Sequence, residues 1–174
     1  MSGGHTPSAW LLQNADLLPP GGHALDVACG RGRHALWLAG SGFRVWALDR
    51  NAEAIEALRI TAAEQGLSID GAVMDLEADP PPDLGTACFD AIVVFNYLHR
   101  PLMPMLVRAL SVGGRLFYET FTVDQAERGH PKNPHFLLRP GELRSLVAPL
   151  RVLRYREGEF GGRCLASVVA EPQA

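Results

Sequence analysis

Five short apolar runs, bounded by Gly, Pro or Asp, recur along the chain at 23–28 (HALDVA), 43–49 (FRVWALD), 69–75 (IDGAVMD), 89–96 (FDAIVVFN) and 114–121 (GRLFYETF). Runs of this length and composition read as strands. The segments after the first, second and fourth runs instead space their apolar residues at helical intervals: Leu36 and Ala39; Ile55, Leu58 and Ala62; Leu102, Leu106, Val107 and Leu110. Asn51 is placed to cap the second of these helices and Gly66 to stop it. Strands that alternate with helices imply right-handed crossovers, and hence a mainly parallel α/β sheet covered on both faces. Runs 45–48 and 91–95, apolar on both sides of the pleat, agree with that burial. After residue 121 the rhythm changes to a polar loop (122–139), a short helix (140–148) and two strands near 150–160 and 163–170. Gly161-Gly162 between those strands suits the tight turn of an antiparallel hairpin. The segment from Trp10 to Leu18 is expected to add one helix leaning on the sheet.

With 174 residues, 47% hydrophobic and 20% charged, the chain reads as one domain over 1–174, in which 1–21 form a helical lead-in. No apolar run is long enough to cross a bilayer, and the N-terminal stretch lacks the pattern of a secretory signal, so a cytoplasmic location is expected. Cys29, Cys88 and Cys164 are too irregularly spaced for a disulfide framework or a zinc site, and no other ligand cluster suggests a metal. Net charge is −3, and the densest basic cluster is only Arg151, Arg154 and Arg156, which disfavours a nucleic-acid partner. Those arginines either guard an edge strand from pairing or meet an anionic substrate. The oligomeric state is left open.

The most informative stretch is LDVACGRGRHALWLA, where a strand ends at Asp26-Val27-Ala28 and a helix begins near Arg33, with Gly30 and Gly32 between. Glycines here let the backbone turn sharply and approach a ligand, and the helix start offers free N–H groups to a carboxylate or phosphate. A nucleotide-like ligand is implied. Asp49 closes the second strand, where a carboxylate either accepts ribose hydroxyls or simply opens the next helix. Asp75 closes the third, either meeting an exocyclic adenine amine or standing as a turn acid. Together, the three acids line the crevice in which open α/β sheets bind their ligands.

On these residues the chain, from about Gly22 to Glu171, resembles the class I S-adenosylmethionine-dependent methyltransferases. Asp26-x-Ala28-x-Gly30-x-Gly32 is similar to the family's first motif, with Ala28 where glycine is common. Gly32-Arg33 before a helix, and Phe136 with Gly141-Glu142-Leu143-Arg144, are similar to its small tellurite-resistance type branch. The resemblance implies a three-layer Rossmann-like sheet of seven strands in order 3-2-1-4-5-7-6, the seventh antiparallel, which also accounts for the terminal hairpin. It implies S-adenosylmethionine as cofactor. The backbone from Ala28 through Cys29 and Gly30 to Gly32, with Arg33, would hold the methionine moiety, and Asp26 and Asn96 its amino group. Asp49 would take the ribose, with Arg50 beside the adenine; Met74, Asp75 and Leu76 would receive the base.

The activity implied is methyl transfer to a small-molecule acceptor by in-line displacement, which needs positioning and dryness more than acid–base groups. Where a base is needed, Tyr97, His99 and Glu119 are the candidates; Tyr97 and His99 serve equally well as rim residues with structural contacts, and Glu119 as an exposed strand end. His130 and His135 lie in loop 122–139, either a lid or a plain surface loop, and His34 is similarly undecided; for Trp10 core packing is favoured over capping the cofactor. The alternatives are a nicotinamide-dependent oxidoreductase, which shares the glycine loop but not Asp75 or the hairpin, and a non-catalytic cofactor-binding module.

Overall fold

A computed structural model describes residues 6–173. Seven strands form one sheet in the order β3-β2-β1-β4-β5-β7-β6: β1 (Gly22–Val27), β2 (Phe43–Asp49), β3 (Ile69–Val73), β4 (Phe89–Phe95), β5 (Leu110–Phe121), β6 (Arg151–Phe160) and β7 (Arg163–Glu171). The first five pair in parallel, whereas β7 runs antiparallel to both β5 and β6. This is the Rossmann-like methyltransferase sheet that the resemblance implied.

Strand alternation sorts the core into two layers of side chains. Ala24, Val45, Ala47, Ala91 and Val93 meet α1 (Ala9–Gln13), α2 (Arg33–Gly40) and α3 (Ala52–Glu64) through Leu11, Leu38, Ile55 and Leu58. Leu25, Val27, Ile92, Val94, Leu116 and Tyr118 meet α4 (Met103–Ala109) and α5 (Glu142–Leu146) through Leu106 and Leu143. Each fully buried Leu or Ile contributes about 1.5–3 kcal/mol relative to leaving it in water. The Asn51 side chain accepts from the Ala54 amide and Gly66 adopts φ +64°, so α3 starts and stops where its sequence signals lie.

Several elements depart from expectation. The lead-in is not one helix: α1 ends at Gln13 and a 3-10 turn follows at Ala15–Leu17. The break falls at Asn14, whose side-chain amide donates to the Trp10 carbonyl while its oxygen accepts from Arg154. Leu110 opens β5 rather than closing α4, pairing with Phe89 before a register shift. α5 is confined to Glu142–Leu146, between Gly141 at φ +70° and Pro149. Between β3 and β4, where the sequence showed no helical spacing, the crossover is indeed helix-free, carrying Pro80, Pro81 and Pro82 and anchored by buried Leu76 and Leu84. Among the described residues no helix is long and apolar enough to cross a membrane.

Candidate active site

The sheet's strand order reverses between β1 and β4, and at the carboxyl tips of these neighbours the backbone turns left-handed. Ala28 has φ +53° and Asn96 φ +57°. Such conformations are uncommon outside glycine and cluster where a fold spends strain on a site. The Cys29 amide donates to the Leu48 carbonyl and the Asn96 amide to the Glu119 carbonyl, both at 2.9 Å, so the bends are fixed by the strands on either side.

Two cavities meet at Ala28 and Asn96. One, of about 330 Å³, is lined by Ala28, Asp49, Arg50, Met74, Asp75, Leu76, Glu77, Asn96, Tyr97 and Phe136. The other, of about 320 Å³, lies over the glycine loop and is lined by Ala28, Cys29, Gly30, Arg31, Arg33, His34, Phe95 and Asn96. Ten of the residues picked out for cofactor binding therefore share one crevice, while Asp26 and Gly32 lie beneath it.

Both of these support the loop from below. Asp26 is 1% exposed and accepts from the Ala35 amide at 2.9 Å, capping the first turn of α2. Burial pushes its carboxyl up to about 7, against the pull of the Ala35 hydrogen bond and the Arg33 charge. Gly32 sits at φ +76° with Leu58 packed where a side chain would begin. Gly30, at φ +55°, has nothing within 4 Å of the position its Cβ would take. Its amide donates to Asp49 Oδ2 at 2.8 Å, and Asp49 Oδ1 accepts from Asn51.

A third cavity, of about 560 Å³, adjoins the glycine loop through Arg33 and is lined also by Thr6, Ser8, Gln13, Glu119, Arg156, Phe160 and Arg163. Burial and the facing charge of Arg163 hold the Arg33 guanidinium below its usual range. Arg163 donates to Asn96 Oδ1 at 3.3 Å, and its Nε is buried without a partner. Of the β6 arginines only Arg156 faces this chamber. Arg154 pairs with Asp16, and Arg151 with Glu171.

The candidate bases are separated by the structure. Tyr97 lies in the first cavity; burial, with Glu77 and Asp75 nearby, pushes its phenol upward, and its hydroxyl is buried without a partner. His99 lines none of the three cavities. Glu119 is 3% exposed and committed: Oε1 accepts from Ser8 at 2.8 Å, and Oε2 from Ser167 at 2.7 Å and Arg156 at 3.0 Å. Rather than an exposed strand end, it is a buried anchor. His34 accepts from the Ser8 amide at 3.2 Å and stacks on Phe95 at 4.2 Å. Burial, then the Arg33 charge, drive its imidazole down to about 3, which keeps it neutral. Trp10 packs in the core and donates to the Val168 carbonyl.

Sequence reading missed Ser8, Arg163 and Phe136 as site residues. Ser8 and Arg163 are brought in by contacts over 26 to 111 residues, for which a single sequence holds no periodic signal.

This strand order, a crevice at the β1/β4 reversal and carboxylates closing consecutive strands define a class I methyltransferase fold. A model of the family described as "Methyltransferase domain" matches residues 24–114, more than half of the chain, and the chain belongs to that family. It is 28% identical over 141 residues to the probable S-adenosyl-L-methionine-dependent methyltransferase TehB of Haemophilus influenzae, covering 76% of this chain and 47% of that protein. It is 33% identical over 112 residues to a ubiquinone biosynthesis O-methyltransferase of Xanthomonas axonopodis, covering 62% of this chain and 46% of that one. The chain thus spans about half the length of these relatives. The crystal structure of H. influenzae TehB superposes with a TM-score of 0.79 at 23% identity, over 96% of this chain and 63% of that chain, which shows that the two share a fold. The nicotinamide-dependent alternative is not favoured.

Proposed function

We propose that the chain transfers a methyl group from S-adenosylmethionine to a small anionic acceptor, binding the cofactor along the β1–β4 crevice and the acceptor in the arginine-lined chamber. The observation that carries this reading is the adjacency of the two: Arg33 lines both the glycine-loop cavity and the chamber. The residues present fit the cofactor. Open space stands over Gly30, an unpartnered Tyr97 hydroxyl lies in the cavity beyond, and Asp49 and Asp75 line that cavity as acceptors for hydroxyl and amine donors. Bound there, S-adenosylmethionine supplies a methyl group already activated on sulfur. Asp49 and Asp75 hold the nucleoside, the Ala28–Gly32 backbone holds the amino acid end, and Asp26 keeps that backbone in place from below.

The chamber presents Arg33, Arg156 and Arg163, and Glu119, its lining carboxylate, is occupied by three donors. Guanidinium groups favour oxyanions, and an acceptor ionised at neutral pH needs no base. Within this proposal residues 1–174 act as one domain, loop 122–139 covers the crevice as a pre-set wall through Phe136, and the protein works in the cytoplasm, where the free Cys29, Cys88 and Cys164 stay reduced.

Calorimetry with S-adenosylmethionine and S-adenosylhomocysteine, followed by methyl transfer across a panel of anionic and neutral small acceptors, tests the reading. Micromolar-range binding of either ligand and a preference for anionic acceptors is expected. If neither ligand binds, the cofactor assignment is wrong.

A further inference from the structure

Phe136 is the exception among the seven phenylalanines, all of which lie within the described residues: it alone is exposed, at 46%. An exposed aromatic on a slack loop would need no explanation, but this loop is not slack. The neighbours Leu137 and Leu138 are 2% and 0% exposed. The Leu138 amide donates to the Phe121 carbonyl, and its carbonyl accepts from Val123, each at 2.9 Å. The carbonyls on either side of Phe136, those of His135 and Leu137, both accept from the Arg100 guanidinium at 3.0 Å. Arg100 is itself fixed by a two-pronged pair with Glu142, at 2.6 Å from Nε and 2.9 Å from a terminal nitrogen. Glu142 Oε2 also accepts from the Arg139 amide. One guanidinium, aimed by one carboxylate, thus grips the backbone immediately before and after an aromatic ring left in the open.

The ring lines the cavity shared with Asp49, Asp75, Leu76 and Tyr97. We propose that Phe136 is the roof of the nucleoside cavity, an aromatic plate that lies against the base, and that Arg100 is the positioning residue that holds it there. Apolar surface from Leu76 and Phe136 together with the Asp75 carboxylate suits a flat π-system bearing an exocyclic amine. The fixed loop means that the ring is presented without an ordering step. This inference rests on the methyltransferase reading, which supplies the adenine.

The test compares wild type with Phe136→Ala, Phe136→Trp, Arg100→Gln and the Arg100→Gln/Phe136→Ala double variant, with S-adenosylhomocysteine as probe in calorimetry. Phe136→Ala should bind on the order of tenfold more weakly, since an aromatic–base stack is of that size, with an unliganded melting temperature close to wild type because the ring is exposed. Phe136→Trp should keep the affinity and gain a ligand-dependent change in tryptophan fluorescence absent from wild type. Arg100→Gln should weaken binding alone but add little once Phe136 is removed, because the two act through one contact. Unchanged affinity in Phe136→Ala while wild type binds overturns the roof and leaves the methyltransferase reading intact. Additive losses in the double variant overturn the role of Arg100. Failure of wild type to bind removes both readings together.

Discussion

The Asp49 carboxylate at the tip of β2 accepts a 2.8 Å hydrogen bond from the Gly30 amide in the loop after β1, and so ties the glycine loop to the neighbouring strand. Its other oxygen accepts from the Asn51 amide at the start of α3. A residue expected to meet ribose therefore also shapes the wall opposite. Asp49→Ala should weaken S-adenosylhomocysteine at least tenfold and lower stability by about 1–3 kcal/mol, because two backbone donors lose their acceptor. Asp49→Asn, which keeps one acceptor oxygen, should lose less stability. Calorimetry and urea unfolding read the two effects separately.

The glycines of the loop divide the same way. A side chain at Gly32 would meet Leu58 atoms at 2.4 to 3.0 Å, at a left-handed φ of +76°. Gly32→Ala should destabilise by roughly 2–4 kcal/mol through strain and overpacking together. Gly30→Ala meets nothing within 4 Å. It should lose about 1 kcal/mol from backbone strain alone, yet abolish most cofactor affinity, because its methyl group enters the space the ligand needs. A Gly30→Ala protein that binds as wild type would place the ligand elsewhere.

Asp26 gives a pH signature. Its carboxyl is raised from 3.8 to about 7 by burial, so the folded state binds a proton more readily than the unfolded chain. The sign follows: this group's contribution is intact below 3.8 and is lost as pH rises toward about 7, at up to roughly 1.4 kcal/mol per pH unit. Asp26→Asn keeps an oxygen for the Ala35 amide and removes the titration. The stability of the unliganded variant should therefore gain on wild type across that interval and run parallel above it, in denaturant unfolding at a series of pH values.

Glu119 should prove a strap and not a base. Its side chain is 4% exposed and its partner Arg156 22%, and removing the acid leaves a guanidinium without its counter-charge. Glu119→Ala should destabilise by about 3–5 kcal/mol and, through loss of the Ser8 contact at the start of α1, open the N-terminal segment around α1 to limited proteolysis. Glu119→Gln, if it folds, should leave the pH profile of methyl transfer unshifted. Loss of the acidic limb, the fall in rate at low pH that a general base imposes, would restore the general-base role.

The parts legible in the sequence were those written by local chemistry. β2 spans the apolar run 43–49 residue for residue, Asn51 and Gly66 bound α3 as capping rules require, and Gly161-Gly162 turn the hairpin at φ +59° and +76°. Three acids closing three strands pointed to the crevice because apolar runs bounded by Gly, Pro or Asp located the strand ends. What stayed hidden depends on distance along the chain. Nothing near Arg100 announces that it will hold the carbonyls of His135 and Leu137, and nothing near Glu119 announces Ser8. Glu119 looked chemical because a lone acid in an apolar strand is costly; its partners, from three other segments, supply the compensation that a linear reading cannot count.

The paired left-handed bends at Ala28 and Asn96 carry a kinetic consequence. The parallel ladder sets both before any guest arrives, so a molecule entering the crevice has no main chain to fold and surrenders only its own freedom of motion. Loading into so ready-cast a seat should be a single fast phase, with a heat-capacity change no larger than the buried apolar surface dictates.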